Sequence, residues 1–193
     1  MGKTKTGASR LRDVNVQKKS GVRVSVRVLE LPIKSKKKAA KDTTEITLDT
    51  TNTNFKFRAG QYIRMTLSHL PAEVLKGNTR DFTIASSPNL KNSISVAFRD
   101  SDSIFKKTLL NTSLRKKVLV QGPLGVFTLP DDPKIPLVFI AGGIGVTTFV
   151  SMVRFLTEKK IPQDVSLIYV NSSTERAAYL KELQALAKKN PKF

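Results

Sequence analysis

Cysteine is absent from this 193-residue chain, and histidine occurs once, as His69. Without cysteine the chain cannot form disulfides, use a thiolate nucleophile or hold an iron–sulfur cluster through thiolates. A single histidine also excludes a histidine metal cluster and a Ser-His-Asp triad. His69 itself is expected to be an exposed, inactive loop residue. No metal site is therefore predicted, and the chemistry has to come from other groups.

Long apolar runs are also missing. No run of about 18 apolar residues occurs, so the sequence predicts no transmembrane helix. The basic N-terminus is not followed by an apolar segment, which argues against a secretory signal. We therefore expect a cytoplasmic protein.

Acidic residues are scarce, with 15 Asp and Glu against 34 Lys and Arg, and the formal net charge is +19. One interpretation is a solvated, flexible basic tail over residues 1–20 together with a basic loop at Lys34–Lys41. The other is electrostatic attraction to an acidic protein or to nucleic acid. Tryptophan is absent and basic residues do not alternate with aromatic ones, so the pattern does not favour nucleic acid.

Residues 21–130 carry repeated strand patterns with little helix. Val22, Val24, Val26 and Val28 alternate with polar residues, and this period of two predicts a half-buried strand. Further strands are predicted at 44–50, 60–66, 81–86, 93–98 and 118–120, with a short helix at 103–111. Six short strands predict an antiparallel barrel.

The pattern changes near residue 131. An apolar strand at 135–141 is followed by a helix at 146–159, a strand at 165–170 and a helix at 175–189. This order predicts a parallel sheet with right-handed crossovers. Two strands are few for such a sheet, so we expect a fragment of a longer product. The alternatives are a separate polypeptide that completes the sheet and a flavin-binding module with poor nicotinamide affinity.

A glycine-rich turn, Gly142-Gly143-Ile144-Gly145-Val146-Thr147, lies between the apolar strand and the helix. Glycines let the backbone approach a ligand closely, and a helix N-terminus offers N–H groups and positive potential to a phosphate. The turn lacks the Gly-x-Gly-x-x-Gly spacing of dehydrogenases. It therefore indicates a phosphate-binding turn of another class.

Three further motifs precede this turn in the order typical of one family. They are Gly60-Gln61-Tyr62, Arg80-Asp81-Phe82-Thr83 and Gly122-Pro123-Leu124-Gly125-Val126-Phe127. From about residue 22 to residue 193, the chain resembles the ferredoxin–NADP⁺ reductase-like superfamily of flavin oxidoreductases. The resemblance implies a FAD-binding barrel over residues 21–130 and an NAD(P)-binding α/β unit, incomplete here, over residues 131–193.

Within the barrel, the resemblance implies the residues of a FAD site. Arg80 has a permanently charged fork suited to a diphosphate, with a surface arginine as the alternative. Phe82 is implied to stack on the flavin ring in place of the usual tyrosine, with a core aromatic as the alternative. Thr83 is implied to hydrogen-bond flavin N5, which makes it the catalytic candidate. The other implied cofactor contacts are Ser86, Ala97, Phe98, Ser103, Ile104 and Phe105.

In the second unit, the resemblance implies that the nicotinamide dinucleotide binds at the glycine-rich turn. Thr147 is implied to lie near the nicotinamide or its ribose, and Thr148 stands where the family usually has proline. The residues implied to line the diphosphate and its turn are Gly142, Gly143, Gly145 and Val146.

The choice between NADH and NADPH stays open at this point. Ser172 and Arg176 follow the second parallel strand and could contact a 2′-phosphate. Arg176 fits equally well as a residue on a helix surface.

The implied reaction is hydride transfer from NAD(P)H to FAD, with electrons then passing to an acceptor. The positive charge suits an acidic carrier such as ferredoxin or flavodoxin. The alternative is a noncatalytic flavin-binding or electron-transfer subunit of a larger complex. The first hypothesis predicts a bound flavin that NAD(P)H reduces, and the second predicts a flavin that NAD(P)H does not reduce.

Overall fold

The computed structural model describes residues 12–13, 27–68 and 77–193. Most of its strands form one antiparallel sheet in the order β5-β4-β7-β2-β3-β6, with β1 paired to β2. The strands are β1 (Arg12–Asp13), β2 (Arg27–Ala40), β3 (Thr43–Asp49), β4 (Tyr62–Thr66), β5 (Thr79–Thr83), β6 (Ser93–Arg99) and β7 (Lys117–Leu124).

The two end strands of this path meet and close the sheet. Ile84, directly after β5, bridges to Val96 of β6. Ala85 donates its backbone N–H to the carbonyl oxygen of Ser95 at 2.7 Å. The expected six-stranded antiparallel barrel is therefore confirmed, with the two-residue β1 as an addition at one side.

The barrel core follows from the alternation of apolar residues along its strands. Leu29, Leu31 and Ile33 of β2 are buried, and they face Ile46 and Leu48 of β3 in the same apolar cluster. Because successive strand residues point to opposite faces, this period of two fills the barrel interior.

The predicted basic loop Lys34–Lys41 is wrong, because β2 continues to Ala40 and the chain turns at residues 41–42. The strand pairs with β3 along this stretch. Lys36 also contacts helix α1 (Ile104–Asn111). Its ammonium group donates to carbonyl oxygens at the C-terminal end of this helix, where a positive charge is favourable. The accepting carbonyls belong to Leu109, Leu110 and Thr112.

Some predictions fall on parts of the chain outside the described residues. These include His69 and the alternating segment from Val22 to Val26. Most of the predicted tail over residues 1–20 also lies outside them. Within that tail, Arg12–Asp13 form β1 and pair with Val28 and Arg27.

The C-terminal part, here called the second unit, contains two parallel strands and two helices. β8 (Leu137–Gly142) pairs in parallel with β9 (Val165–Val170), and α2 (Val146–Lys159) connects them. The bounds of α2 and β9 match the prediction. Together with the barrel, these elements confirm the predicted fold class.

The last helix, α3 (Leu180–Lys189), begins later than the predicted residue 175. A short 3₁₀ turn forms at Thr174–Arg176 instead. Tyr179 then takes a left-handed conformation with φ of 62°, which cannot continue a right-handed helix. The helix therefore starts only after this residue.

One face of the β8–β9 sheet is covered by the helices and the other is exposed. Phe139 and Ala141 are buried on the covered face. The exposed face carries four apolar side chains, each more than half exposed: Val138, Ile140, Ile168 and Val170. Among the residues that the structure describes, no helix has both the length and the apolar character needed to cross a membrane.

Candidate functional site

The barrel and the second unit meet where β5 ends and α2 begins. The hydroxyl oxygens of Thr83, at the end of β5, and Thr148, in the first turn of α2, are 3.5 Å apart. One turn further along α2, the Ser151 hydroxyl donates to the Ser86 carbonyl oxygen at 2.7 Å. The Arg-x-Phe-Thr motif is therefore in direct contact with the helix that follows the glycine-rich turn, about sixty residues away in sequence.

The same face of α2 continues the contact toward its C-terminal end. Arg154 donates to the Ala85 carbonyl oxygen at 2.6 Å. The Glu158 carboxylate accepts from Ser87 at 2.5 Å and from Asn89 at 2.8 Å. Residues three and four apart lie on one face of a helix, so the spacing of the contacting residues in α2 places them in a row along residues 83–89.

Arg80 lies at the other end of the motif, beside the start of α1. Its guanidinium carbon is 5.6 Å from the centre of the Phe105 ring, and it donates to the carbonyl oxygens of Gly77 and Thr79. Ser103, the residue before α1, makes no side-chain capping hydrogen bond. The first N–H groups of α1 thus lie beside an exposed guanidinium, and both favour an anion.

Lys106 adds a second cation to this place, and the sequence analysis did not identify it. Its ammonium donates to the Arg99 carbonyl oxygen at 2.8 Å and lies 6.0 Å from the centre of the Phe98 ring. Burial lowers the pKa of Lys106, Asp100 opposes this, and the nearby Arg80 charge lowers the pKa further. The sequence did contain one signal for Lys106, namely a basic residue in the first turn of the predicted helix at 103–111.

Phe82 lies in the barrel core rather than on the open side of the site. Its side chain is only 7% exposed and belongs to the main apolar cluster. The ring centres of Phe98 and Phe105 are 5.6 and 6.0 Å away. The structure therefore favours the alternative in which Phe82 is a core aromatic residue over the one in which it stacks on a flavin. Phe82 lies on the inward face of β5, where its ring packs against those of Phe98 and Phe105.

Ser86 lies buried beside β6. It is 2% exposed, and its hydroxyl accepts the backbone N–H of Ser95 at 3.0 Å. Its side chain therefore binds the backbone of β6, and a cofactor contact from Ser86 stays a prediction. Ala97 and Phe98 are likewise buried in β6, and cofactor contacts from their backbones stay a prediction.

The glycine-rich turn forms an open concave backbone at the N-terminus of α2. A Cβ atom at Gly142 or Gly145 would have no heavy atom within 4 Å. Gly143 has φ of +50°, a left-handed conformation that glycine adopts readily. Gly143–Gly145 form a 3₁₀ turn that runs into α2, so successive backbone N–H groups lie at one end of the helix. This arrangement is suited to a phosphate.

Thr148, and not Thr147, faces the barrel motif. Thr147 is 5% exposed, and its hydroxyl donates to the Ile144 carbonyl oxygen at 3.1 Å. Val146 is fully buried beneath the turn. Of these two threonines, Thr148 is the one close to Thr83. Thr148 therefore fits the position expected for Thr147, near the nicotinamide, better than Thr147 does.

Arg176 forms an ion pair across the two units. Its guanidinium lies 2.8 Å from the Asp42 carboxylate at the tip of the β2–β3 hairpin. This pairing fits the surface-residue alternative better than a free 2′-phosphate ligand. Ser172, beyond the end of β9, stays exposed.

A cavity of about 590 Å³ lies at the opposite end of α2. Its walls come from residues 57–59, residues 128–133 and residues 155–163. A helix of this length spans about 20 Å, so the cavity is separate from the glycine-rich turn.

The sequence of this chain resembles those of known reductases. The family model described as oxidoreductase NAD-binding domain matches residues 139–193. The glycine betaine monooxygenase reductase subunit of Pseudomonas aeruginosa is 27% identical over 141 residues, which make up 72% of this chain and 37% of that protein. The chain thus spans little more than a third of the length of that curated relative.

Two solved structures share the fold. Ferredoxin-NADP⁺ reductase from Plasmodium falciparum superposes with a TM-score of 0.74 at 19% identity, covering 89% of this chain and 69% of that chain. Phthalate dioxygenase reductase superposes with a TM-score of 0.68 at 25% identity, covering 81% of this chain and 48% of that chain. The chain therefore has the fold of the ferredoxin–NADP⁺ reductase-like proteins, and its residues 139–193 match an oxidoreductase NAD-binding domain.

Proposed function

We propose that this chain is the FAD- and nicotinamide-binding part of an NAD(P)H-dependent flavin oxidoreductase. One observation carries the proposal, namely that the Thr83 and Thr148 hydroxyl oxygens are 3.5 Å apart. This contact brings the end of the flavin motif to the helix that follows the nucleotide turn. In this proposal, the barrel over residues 21–130 binds FAD and the unit over residues 131–193 binds the nicotinamide dinucleotide.

The residues at the start of α1 fit the diphosphate of FAD. Arg80 and Lys106 supply positive charge, and the uncapped first turn of α1 supplies N–H donors. Ser103, Ile104 and Phe105 would contribute through that turn. Ile104 is 49% exposed while Phe105 is buried, so Phe105 can contribute only its backbone.

Thr83 is the catalytic candidate because its hydroxyl lies where the two units meet. It is half-buried, with Thr148 as its neighbour, and would donate a hydrogen bond to flavin N5. Bound FAD would supply hydride acceptance from NADH or NADPH and onward electron transfer. Gly142 and Gly145 leave the space that the nucleotide diphosphate needs, and α2 keeps that space beside β5.

An acidic electron carrier is the partner that the charge of this chain supports. The net charge of +19 attracts an acidic surface such as that of a ferredoxin or flavodoxin. The glycine betaine monooxygenase reductase subunit bears the name of an oxygenase system, which is consistent with a carrier or oxygenase partner. A cytoplasmic location remains an expectation from the sequence.

A second candidate is a flavin-binding subunit within a larger assembly. The exposed apolar face of the β8–β9 sheet, formed by Val138, Ile140, Ile168 and Val170, favours this candidate. Contiguous exposed apolar surface often marks an interaction site. Further polypeptide, in the same product or in another, would cover it.

Flavin absorbance tests the proposal. The purified chain supplied with FAD should retain a yellow chromophore, and anaerobic NADH or NADPH should bleach it. Retained colour without bleaching would support the subunit instead. Arg80→Ala should lower FAD retention, whereas Arg115→Ala, a matched change at an exposed arginine in a turn before β7, should not. Equal retention by both variants would contradict the role of Arg80.

A further inference from the structure

Arg99 at the end of β6 reaches the glycine-rich turn of the second unit. A Cβ atom placed on Gly143 would lie 3.4 Å from Nη2 of Arg99. The two residues are 44 positions apart in sequence (143 minus 99) and belong to different units. The barrel therefore supplies a guanidinium directly at the turn that offers backbone N–H groups to a phosphate.

The other half of the Arg99 fork is anchored on the barrel. Nη1 donates to the Thr43 hydroxyl at 3.2 Å and lies 3.5 Å from the Lys41 carbonyl oxygen. These contacts hold the guanidinium at the hairpin between β2 and β3. Nη2, the nitrogen closer to Gly143, has no hydrogen bond to any residue in the described parts of the chain.

The charge of Arg99 is not neutralised by a carboxylate. The neighbouring Asp100 pairs with Lys38 at 2.5 Å instead. Across residues 27–68 and 77–193, no Asp or Glu lies within 4.0 Å of the Arg99 guanidinium. Arg99 differs in this respect from Arg64, whose guanidinium forms a surface ion pair with the Asp81 carboxylate.

We infer that Arg99 is a ligand of the nucleotide diphosphate, supplied by the barrel to the second unit. This inference rests on the proposed function and adds a binding residue to it. A planar guanidinium binds phosphate oxygens in a directed, charge-assisted way. Arg99 lies at the Gly143–Gly145 turn, whereas the 2′-phosphate of NADPH would bind near Ser172, beyond β9. Arg99 therefore acts on NADH and NADPH alike.

Calorimetric titration of the full chain with NAD⁺, NADP⁺ and ADP tests this assignment. Arg99→Ala should weaken all three by about 10- to 100-fold, the range for a hydrogen bond to a charged group. The ratio of NADP⁺ to NAD⁺ affinity should stay the same. Arg99→Lys, which keeps the charge without the fork, should weaken binding less. FAD absorbance should not change, because the FAD diphosphate is assigned to Arg80 and α1.

The outcomes separate this inference from the function on which it rests. Loss of NADP⁺ binding alone would assign Arg99 to the 2′-phosphate and overturn the inference. Unchanged nucleotide affinity in folded Arg99→Ala, as judged by its melting curve, would overturn it as well. If Arg99→Ala does not fold, Arg99→Lys gives the same comparison, and wild-type affinity in that variant would contradict a role for the fork. Failure of the unaltered chain to bind any nucleotide would instead remove the proposed function, and the inference with it.

Discussion

Tyr179 of the second unit donates a 2.5 Å hydrogen bond to the Glu45 carboxylate of β3, and both residues are buried. Glu45 also pairs with Lys37 at 3.0 Å. On the other side, the Arg154 guanidinium carbon is 5.1 Å from the centre of the Tyr179 ring, and Arg154 makes two hydrogen bonds to Glu182. A buried phenol therefore links the barrel to a charged cluster in the second unit.

Tyr179→Phe should lower the free energy of unfolding by about 1.5–3 kcal/mol, because it removes a hydrogen bond to a buried charge. Burial raises the pKa of Tyr179, and the Glu45 charge raises it further, so the phenol stays protonated in the folded protein. The stabilisation should be complete below pH ~10, the ordinary tyrosine pKa, and should decline above it. Urea unfolding at several pH values measures both effects.

Tyr169→Phe is the matched control for this change. Its hydroxyl donates to the Ala178 carbonyl oxygen at 3.2 Å, within the second unit. The loss should be about 1 kcal/mol, the usual size for a neutral hydrogen bond. Equal losses in the two variants would contradict a special role for the Tyr179–Glu45 pair.

Gly60→Ala should destabilise the folded chain by about 2–5 kcal/mol. Gly60 has φ of +101°, and a Cβ atom there would overlap the Phe127 carbonyl oxygen and lie 2.5 Å from Cε of Met152 in α2. The overlap with the Phe127 carbonyl oxygen can be relieved only by moving backbone, and the positive φ adds strain of its own. Thermal unfolding measures the loss, and a melting temperature like that of the unaltered chain would contradict this packing.

Gly142→Ala and Gly143→Ala should separate binding from stability. At Gly142 the φ angle is −111° and no heavy atom lies within 4 Å of the added methyl, so stability should change by less than about 0.5 kcal/mol. That methyl occupies the space proposed for the diphosphate, so NAD⁺ and NADP⁺ should bind about tenfold more weakly. At Gly143, the positive φ should cost about 1–2 kcal/mol of stability.

Calorimetry and chemical unfolding on the same preparations give both quantities. The pair of glycines serves as an internal control, since the two changes add the same methyl group. Nucleotide affinity unaffected by Gly142→Ala would place the ligand elsewhere.

Phe82→Ala should cost about 3–5 kcal/mol in the protein prepared without flavin, as expected for a large core side chain. A residue that only stacked on a bound ring would cost little under those conditions. Phe127→Ala, a change at an aromatic side chain that is 62% exposed, is the comparison. Similar small losses of unfolding free energy in Phe82→Ala and Phe127→Ala would instead support a flavin-stacking role for Phe82.

The elements that the sequence predicted well are those whose patterns are local. The run Val165–Val170 and the helix after the glycine-rich turn have the predicted bounds, because strand length and helical periodicity are written in consecutive residues. The strands predicted at 44–50 and 93–98 likewise match β3 and β6 to within one residue. The strand predicted up to Val28 does not, since β2 runs from Arg27 to Ala40.

The errors concern residues whose role depends on distant partners. The lysines after Lys34 looked like a loop by composition, yet Lys36 serves the end of α1, more than seventy positions away. Arg99 and Lys106 belong to no motif. The place of Arg99 beside the turn depends on how the units pack, and the place of Lys106 near Arg80 depends on how α1 packs in the barrel. The hydrogen bond that Ser86 accepts from the Ser95 backbone likewise joins residues that no local pattern connects.

The row of contacts along α2 has a consequence for redesign. Because one helix starts at the glycine-rich turn and is fixed to residues 83–89, this helix sets the distance between the Arg80–Thr83 motif and that turn, together with the Tyr179–Glu45 and Arg176–Asp42 contacts. Ser172 and Ser173 are exposed beyond the other strand and take no part in this attachment. Substitutions at those two positions should therefore leave the attachment of α2 to the barrel intact.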